Sequence, residues 1–345
     1  RRTRPARPAA RAIQCMTPGA AADAEWRPTA DLARLRLRAD LLARVRTYFS
    51  ATGALEVETP ALVRAAVTDV HLESLRVADD ATRGATIGYL QTSPEYAMKR
   101  LLCAGAPDIY QVCKVFRAGE RGRRHNPEFT MLEWYRLGLD HHALMRDVEA
   151  LIRHVLQPVQ TFAASESITY CDAFQRRLGL DPLHAPVDAI MRAIEAAGTS
   201  VPDSMRDGAA RDDVLDLAMG TVVAESFASD RLTFLYDFPA SQAALAQIRG
   251  EVASRFEAFW GPLELANGFH ELGSAPEQAA RFAADLARRR ANGQTVREVD
   301  QLFLDALASG LPPCAGVALG FDRLVMVAAQ AERIDDVVTF PYERA

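Results

Sequence analysis

Phe116-Arg117-Ala118-Gly119-Glu120, followed by His125-Asn126-Pro127-Glu128-Phe129-Thr130-Met131-Leu132-Glu133-Trp134-Tyr135, is the stretch on which the reading of this chain turns. Residues 109–116 and 128–135 are apolar runs rich in β-branched and aromatic residues, which favour strands. The polar loop between them holds Gly119, Gly122, Arg121, Arg123 and Arg124. The pattern predicts two antiparallel strands joined by a long mobile loop.

A second arginine stretch lies far downstream, Gly316-Val317-Ala318-Leu319-Gly320-Phe321-Asp322-Arg323. It predicts a strand ending near Leu319 and a helix from Gly320 to about Gln330. Upstream, Leu37, Leu41, Val45, Tyr48 and Phe49 recur at helical spacing. Gly53 stops that helix, and Leu55-Glu56-Val57-Glu58-Thr59-Pro60 alternates like a strand before proline ends it.

The remaining chain predicts a helix over 140–156, strands over 232–236 and 263–266, and helices over 276–291 and 298–309. Residues 160–230 carry short Ala-rich helical patterns broken by Pro182, Pro186, Pro202 and Gly208, which suggests a helical insertion. A mostly antiparallel sheet flanked by helices is the α+β class.

The 345 residues are 49% hydrophobic and 25% charged, enough for a large core. A net charge of -5 gives no general attraction to nucleic acid. No apolar run reaches membrane-spanning length. The five cysteines, Cys15, Cys103, Cys113, Cys171 and Cys314, form no CxxC pair and read as free thiols in a reducing, cytoplasmic setting. Arg1, Arg2, Arg4, Arg7 and Arg11 precede the first acid, Asp23, as in a transit peptide. Met16 resembles a more usual start, so residues 1–15 are expected to be upstream sequence. Residues 1–30 are expected to be disordered or extended, with the catalytic domain over 31–345.

The three arginine and proline stretches occur in the order of motifs 1, 2 and 3 of class II aminoacyl-tRNA synthetases, and their detail resembles the lysyl branch. From about Trp26 to the C-terminus the chain is similar to paralogues of lysyl-tRNA synthetase that attach (R)-β-lysine to elongation factor P instead of charging a tRNA. That resemblance implies ATP and Mg²⁺, formation of an aminoacyl-adenylate from lysine or (R)-β-lysine, a homodimer built through motif 1, and elongation factor P as partner.

The first step needs no general base, because an α-carboxyl group with a pKa of about 3.5 is already ionised at neutral pH. It needs in-line positioning and cations around the phosphates. By resemblance Arg117 holds the α-phosphate and the substrate carboxylate, and Arg323 reaches the γ-phosphate and one adenine face. These two are the catalytic candidates, since a planar guanidinium binds two oxygens at once. Phe129 covers the other face and Asn126 contacts the nucleotide, with Ala118, Gly119, Leu265 and Gly320 beside them. In Glu264-Leu265-Ala266-Asn267-Gly268-Phe269-His270-Glu271, Glu264 holds Mg²⁺ and Glu271 shares it or lies near the substrate. Ser93-Pro94-Glu95 resembles the loop that binds the α-amino group. Tyr135 and Glu271 align with positions receiving the distal ammonium, and Asn267 with a carboxylate or amino contact. Two acids and a phenol suit a cationic amino acid and repel aspartate.

Two departures stand out. Motif 2 usually reads Arg-x-Glu, and here Gly119 takes the Glu place with Glu120 next. Motif 3 of lysyl enzymes usually reads Gly-x-Gly-x-Gly, and here the middle glycine is Ala318. One methyl on the pocket wall is worth about 1–3 kcal/mol and is expected to favour the β-isomer. The residues before motif 1 do not supply the five strands of an anticodon-binding OB-fold, so no tRNA acceptor is expected. The competing readings are a minimal synthetase that charges tRNA and a non-catalytic synthetase-like regulator.

Overall fold

The computed structural model describes residues 25–206 and 208–345. The arginine-rich residues 1–15, with Cys15, and the segment up to residue 24 lie outside the described residues. In chain order the elements are α1 (Leu32–Ala51), β1 (Leu55–Glu56), β2 (Leu62–Val63), β3 (Arg76–Asp79), β4 (Ala85–Leu90), α2 (Glu95–Cys103), β5 (Ile109–Phe116), β6 (Glu128–Leu137), α3 (His141–Leu156), β7 (Glu166–Thr169), α4 (Tyr170–Leu178), α5 (Val187–Ala196), α6 (Arg211–Ala218), β8 (Leu232–Pro239), β9 (Ile248–Arg249), β10 (Val252–Trp260), β11 (Leu263–His270), α7 (Ala275–Ala291), α8 (Gln301–Gly310), β12 (Cys314–Gly320) and α9 (Phe321–Ala329).

The main sheet runs β1-β5-β6-β12-β11-β10-β8-β7, with β9 on β10, and a small sheet runs β2-β4-β3. The class is α+β, but the sheet is mixed where a mostly antiparallel one was expected. The inner pairs from β5 to β8 are antiparallel, while β1 lies parallel to β5 and β7 parallel to β8. Both parallel pairs are joined by long crossovers, as parallel strands require. The strand expected over 55–59 is only β1 long. Val57 N–H still donates to the Tyr110 carbonyl at 2.9 Å before the chain leaves at Pro60.

The pleat sorts the sheet into two faces. Leu132 and Trp134 of β6, Val317 and Leu319 of β12 and Phe256 and Ala258 of β10 join the main core. They pack there with Leu41, Val45 and Phe49 of α1, Val148 and Ile152 of α3, and Leu324 and Val325 of α9. The intervening residues present chemistry instead. Glu133 sits opposite Ala318, Ala318 opposite Asn267, and Asn267 opposite Glu257. The site is therefore the second face of a sheet whose first face is held by the core.

Residues 160–230 hold β7 and α4 to α6. Their own apolar cluster, including Tyr170, Phe174, Ile190, Ile194 and Val214, packs on Leu235 and Phe238 of β8 and Phe259 of β10. Cys103, Cys113, Cys171 and Cys314 are free thiols. No described helix is long and apolar enough to cross a membrane.

Candidate active site

A cleft of about 1130 Å³ opens over the polar face of the sheet. Its lining includes Ser93, Pro94, Glu95, Arg117, Asn126, Phe129, Glu264, Asn267, Ala318, Gly320 and Arg323. Ala118, Gly119, Leu265, Tyr135 and Glu271 are not among the lining residues. Leu265 belongs to the main core, and Tyr135 and Glu271 are buried.

At one end of the cleft two arginines converge. Arg117 follows β5; its Nε donates to the Thr92 carbonyl at 3.3 Å, and its guanidinium lies 5.1 Å over the Phe129 ring. Arg323 sits in the first turn of α9. Its Nη1 donates to the Glu264 carbonyl at 2.9 Å and meets Glu264 Oε2 at 3.3 Å. Its Nη2 lies 2.8 Å from His125 Nε2. Arginine can only donate, so His125 accepts there and carries no charge. Burial and the Arg323 charge both lower the His125 pKa, in agreement.

The loop between β5 and β6 shows how the Gly119 departure is accommodated. Gly119 has φ +80°, a left-handed conformation that a glutamate would enter only with strain. The turn brings Glu120 back into the cleft, with Oε1 3.4 Å from Arg117 Nη1. The Ala118 N–H donates to the Glu73 carbonyl at 2.8 Å. Asn126 spends its amide on the backbone: Nδ2 donates to the Glu128 carbonyl at 2.6 Å and Oδ1 accepts from the Tyr342 N–H at 3.0 Å.

Beyond Met131 the same face of β6 continues into a buried polar cluster. Glu133 accepts from Ser93 Oγ and from the Tyr135 hydroxyl, both at 2.7 Å. Lys99, fully buried, lies 2.6 Å from Glu95 Oε1 and 2.5 Å from Glu271 Oε2. The latter contact is an ion pair without hydrogen-bond alignment, and Glu271 Oε1 has no hydrogen-bond partner among the described residues. Gly316 makes this packing feasible, because a Cβ there would strike both the Tyr135 ring and Glu271 Oε1.

Three acids and one ammonium share this space, and burial acts against the charge of Glu133, Glu271 and Lys99. Burial and the neighbouring Glu95 push Glu133 up to about 7, against the Ser93 and Tyr135 hydrogen bonds. Burial pushes Glu271 up to about 8 despite Lys99. Lys99 itself stays charged: burial opposes its charge, but Glu271 and Glu95 outweigh it and raise its pKa. The acids are short of cations.

Glu133 and Lys99 were missed in the sequence. Glu133 shares a strand face with Phe129 and Tyr135, and Lys99 lies one helical turn after Glu95, spacings that place them together. Glu257 was missed as well. Its carboxyl is ion-paired to Arg255 at 2.6 Å. Burial raises it to about 7, Arg255 opposing and the nearby Glu264 adding to the rise. Among the described residues no group of three or more acids, histidines or cysteines could hold a metal by itself. Glu264, which lines the cleft, and the nearby Glu257 offer carboxylate oxygens, the donor type that a hard cation such as Mg²⁺ takes. Glu271, also expected near the metal, is enclosed instead with Lys99 and Glu95.

The model of class II tRNA synthetases (D, K and N) matches residues 24–344. A Vibrio cholerae protein named elongation factor P–(R)-β-lysine ligase is 45% identical over 329 residues, covering 94% of this chain and 99% of the relative. A Salmonella dublin protein of the same name is 47% identical over 331 residues, covering 93% and 99%. With its motifs gathered around one cleft and this similarity along nearly its whole length, the chain belongs to the class II tRNA synthetase family of the aspartyl, lysyl and asparaginyl enzymes.

Proposed function

We propose that this protein is an ATP-dependent ligase that activates (R)-β-lysine, or lysine, as an aminoacyl-adenylate and transfers it to a lysine side chain of elongation factor P. The observation that carries the substrate class is the buried cluster of Glu95, Glu133 and Glu271 around Lys99, which meets the cleft of Arg117 and Arg323 at Glu95. Excess buried acid calls for a cationic ligand and excludes aspartate. The names of the relatives supply the acceptor.

In this reading the substrate ammonium groups settle among Glu95, Glu133, Tyr135 and Glu271. The carboxylate then faces the α-phosphate beside Arg117. Attack on the α-phosphorus forms the acyl-phosphate bond and breaks the bond to pyrophosphate, with Arg117 and Arg323 stabilising charge on the transferring and leaving groups. Phe129 stacks on the adenine once Arg117 turns to the phosphates. Mg²⁺ would be held by Glu264 with Glu257 and would offset phosphate charge. Transfer to the acceptor amine forms an amide and releases AMP. We further infer one catalytic domain over 31–345 with an insertion over 160–230, a homodimer built on α1 and β1, a cytoplasmic setting, and no role for tRNA.

The test is the intact mass of elongation factor P after incubation with this protein, Mg-ATP and (R)-β-lysine, with α-lysine and bulk tRNA in parallel. A gain of one lysyl unit on the factor is expected. Charged tRNA with an unmodified factor would make the protein a small synthetase. Transfer to neither would overturn the ligase reading.

A further inference from the structure

Lys99 is placed as few lysines are. It lies on α2 one turn after Glu95, its side chain is 1% exposed, and its ammonium touches two carboxylates, with the Phe303 ring 6.0 Å away. A lysine this deep is stable only when paired, and each partner is equally held by it. Glu271 is fixed by one oxygen only. Its Oε2 meets Lys99, while Oε1 has no hydrogen-bond partner among the described residues, buried beside Tyr135 in space that glycine at 316 keeps open.

We infer that Lys99 is a specificity-determining positioning residue, which cancels one of the three pocket carboxylates and aims a second, Glu271, so that the pocket matches the two ammonium groups of a diamino acid. The inference rests on the reading of this cluster as the amino-acid pocket. Once a bound substrate has drawn Glu95, Glu133 and Glu271 into their ionised forms, they stand against one ammonium of the protein, and two negative charges remain for the ligand to meet. A diamino acid brings two ammonium groups, and its carboxylate stays outside with Arg117. A monoamine leaves one buried charge without a partner, which is the strongest form of rejection a pocket can build. Lysine isomers differ in where the first amino group stands and not in charge, so this device selects the class. The choice of isomer falls to the pocket wall.

The charge count makes an unusual prediction. Glu271→Gln leaves two acids against Lys99, a net charge of one. The double variant Lys99→Met/Glu271→Gln leaves two acids and no cation, which restores the original net charge of two. Removing the lysine is therefore expected to rescue the glutamate variant.

ATP–pyrophosphate exchange is the assay, with (R)-β-lysine, α-lysine, norleucine and 6-aminohexanoic acid, and with the KM for ATP measured alongside. Lys99→Met alone is expected to raise the KM for the diamino acids roughly tenfold or more while the KM for ATP moves less than about twofold. The double variant is expected to bind the diamino acids more tightly than Glu271→Gln. This second comparison does not need Lys99→Met alone to fold, since the double variant also removes the Glu271 carboxylate that Lys99 meets and keeps the pocket at its original net charge. A double variant no better than Glu271→Gln, or KM values for amino acid and ATP that rise together, would overturn the inference and leave Lys99 a structural residue. Absence of exchange with both lysine isomers in the unaltered protein would instead overturn the functional reading.

Discussion

The backbone N–H of Thr130 donates to the buried carboxylate of Asp322 at 2.6 Å, and this one bond ties β6 to the first turn of α9. The other oxygen of Asp322 takes Arg38 of α1 at 2.5 Å, and Arg38 also donates to Thr130 Oγ1 at 2.7 Å. All three motifs are thereby joined through one carboxylate, one residue before Arg323. Asp322→Asn keeps the shape but loses the charge that Arg38 meets and turns an acceptor into a donor. Losing a buried charged partner of this kind is worth about 2–4 kcal/mol. The expected outcome is a urea midpoint lowered accordingly, together with weaker ATP binding. A midpoint shift under about 0.5 kcal/mol would mean the three motifs are held together elsewhere.

Gly316→Ala tests the close approach at the amino-acid end. The added Cβ would meet the Tyr135 ring and Glu271 Oε1, neither of which has room to retreat behind a buried strand. The variant is expected to raise the amino-acid KM by at least roughly tenfold, in the range for overpacking of about 1–3 kcal/mol. ATP affinity, read by nucleotide fluorescence, stays near its starting value because Arg117, Phe129 and Arg323 lie towards the other end. Equal loss of both affinities would show that the substitution distorts the sheet as a whole.

Much of this architecture was legible because the motif strands carry strong local signals. Residues 109–116, the helix after His141 and the helix after Gly320 form where the apolar spacing put them. β10 was overlooked although Arg255, Phe256, Glu257 and Ala258 alternate as a half-buried strand should. Two charged residues in four masked it, and they are charged because that face belongs to the site. The edge strands β1 and β7 are parallel because of crossovers of many residues, a tertiary fact that no local pattern contains. Site residues with motif neighbours could be named from sequence. Lys99 had a local signal in its i,i+4 spacing from Glu95, but its pairing with Glu271, which follows β11, is a tertiary contact that no local spacing contains.

His125 is expected to set the acid limb of the activity. Its folded pKa lies below the ordinary 6.5, through burial first and then the Arg323 charge. A depressed value means the neutral form is favoured in the folded protein. Its stabilising effect is therefore present above 6.5 and lost as pH falls through the lower folded value. Once protonated, Nε2 can no longer accept from Arg323, and two cations face each other. Pyrophosphate exchange is expected to fall on acidification below 6.5, with the KM for ATP rising. His125→Gln, whose amide oxygen accepts at all pH values, should flatten that limb. An acid limb unchanged in the variant would assign it to another group.

Substrate binding should release protons. Glu133 and Glu271 hold pKa values raised from 4.5 to about 7 and about 8, chiefly by burial. Between about 4.5 and 8 the folded protein therefore binds more protons than the unfolded chain. The stability this provides is complete below the unfolded value and fades as pH rises through the folded ones. An arriving diammonium substrate reverses the preference, because opposite charge favours the ionised carboxyls. At pH 7 binding of (R)-β-lysine should expel protons, and affinity should rise between pH 6 and 8. Calorimetry in two buffers of different ionisation enthalpy measures the proton count directly. Release that disappears in Glu271→Gln and Glu133→Gln would place it on these carboxyls. Identical heats in the two buffers would mean that the acids are already ionised and that the pocket stands open as a pair of bare charges.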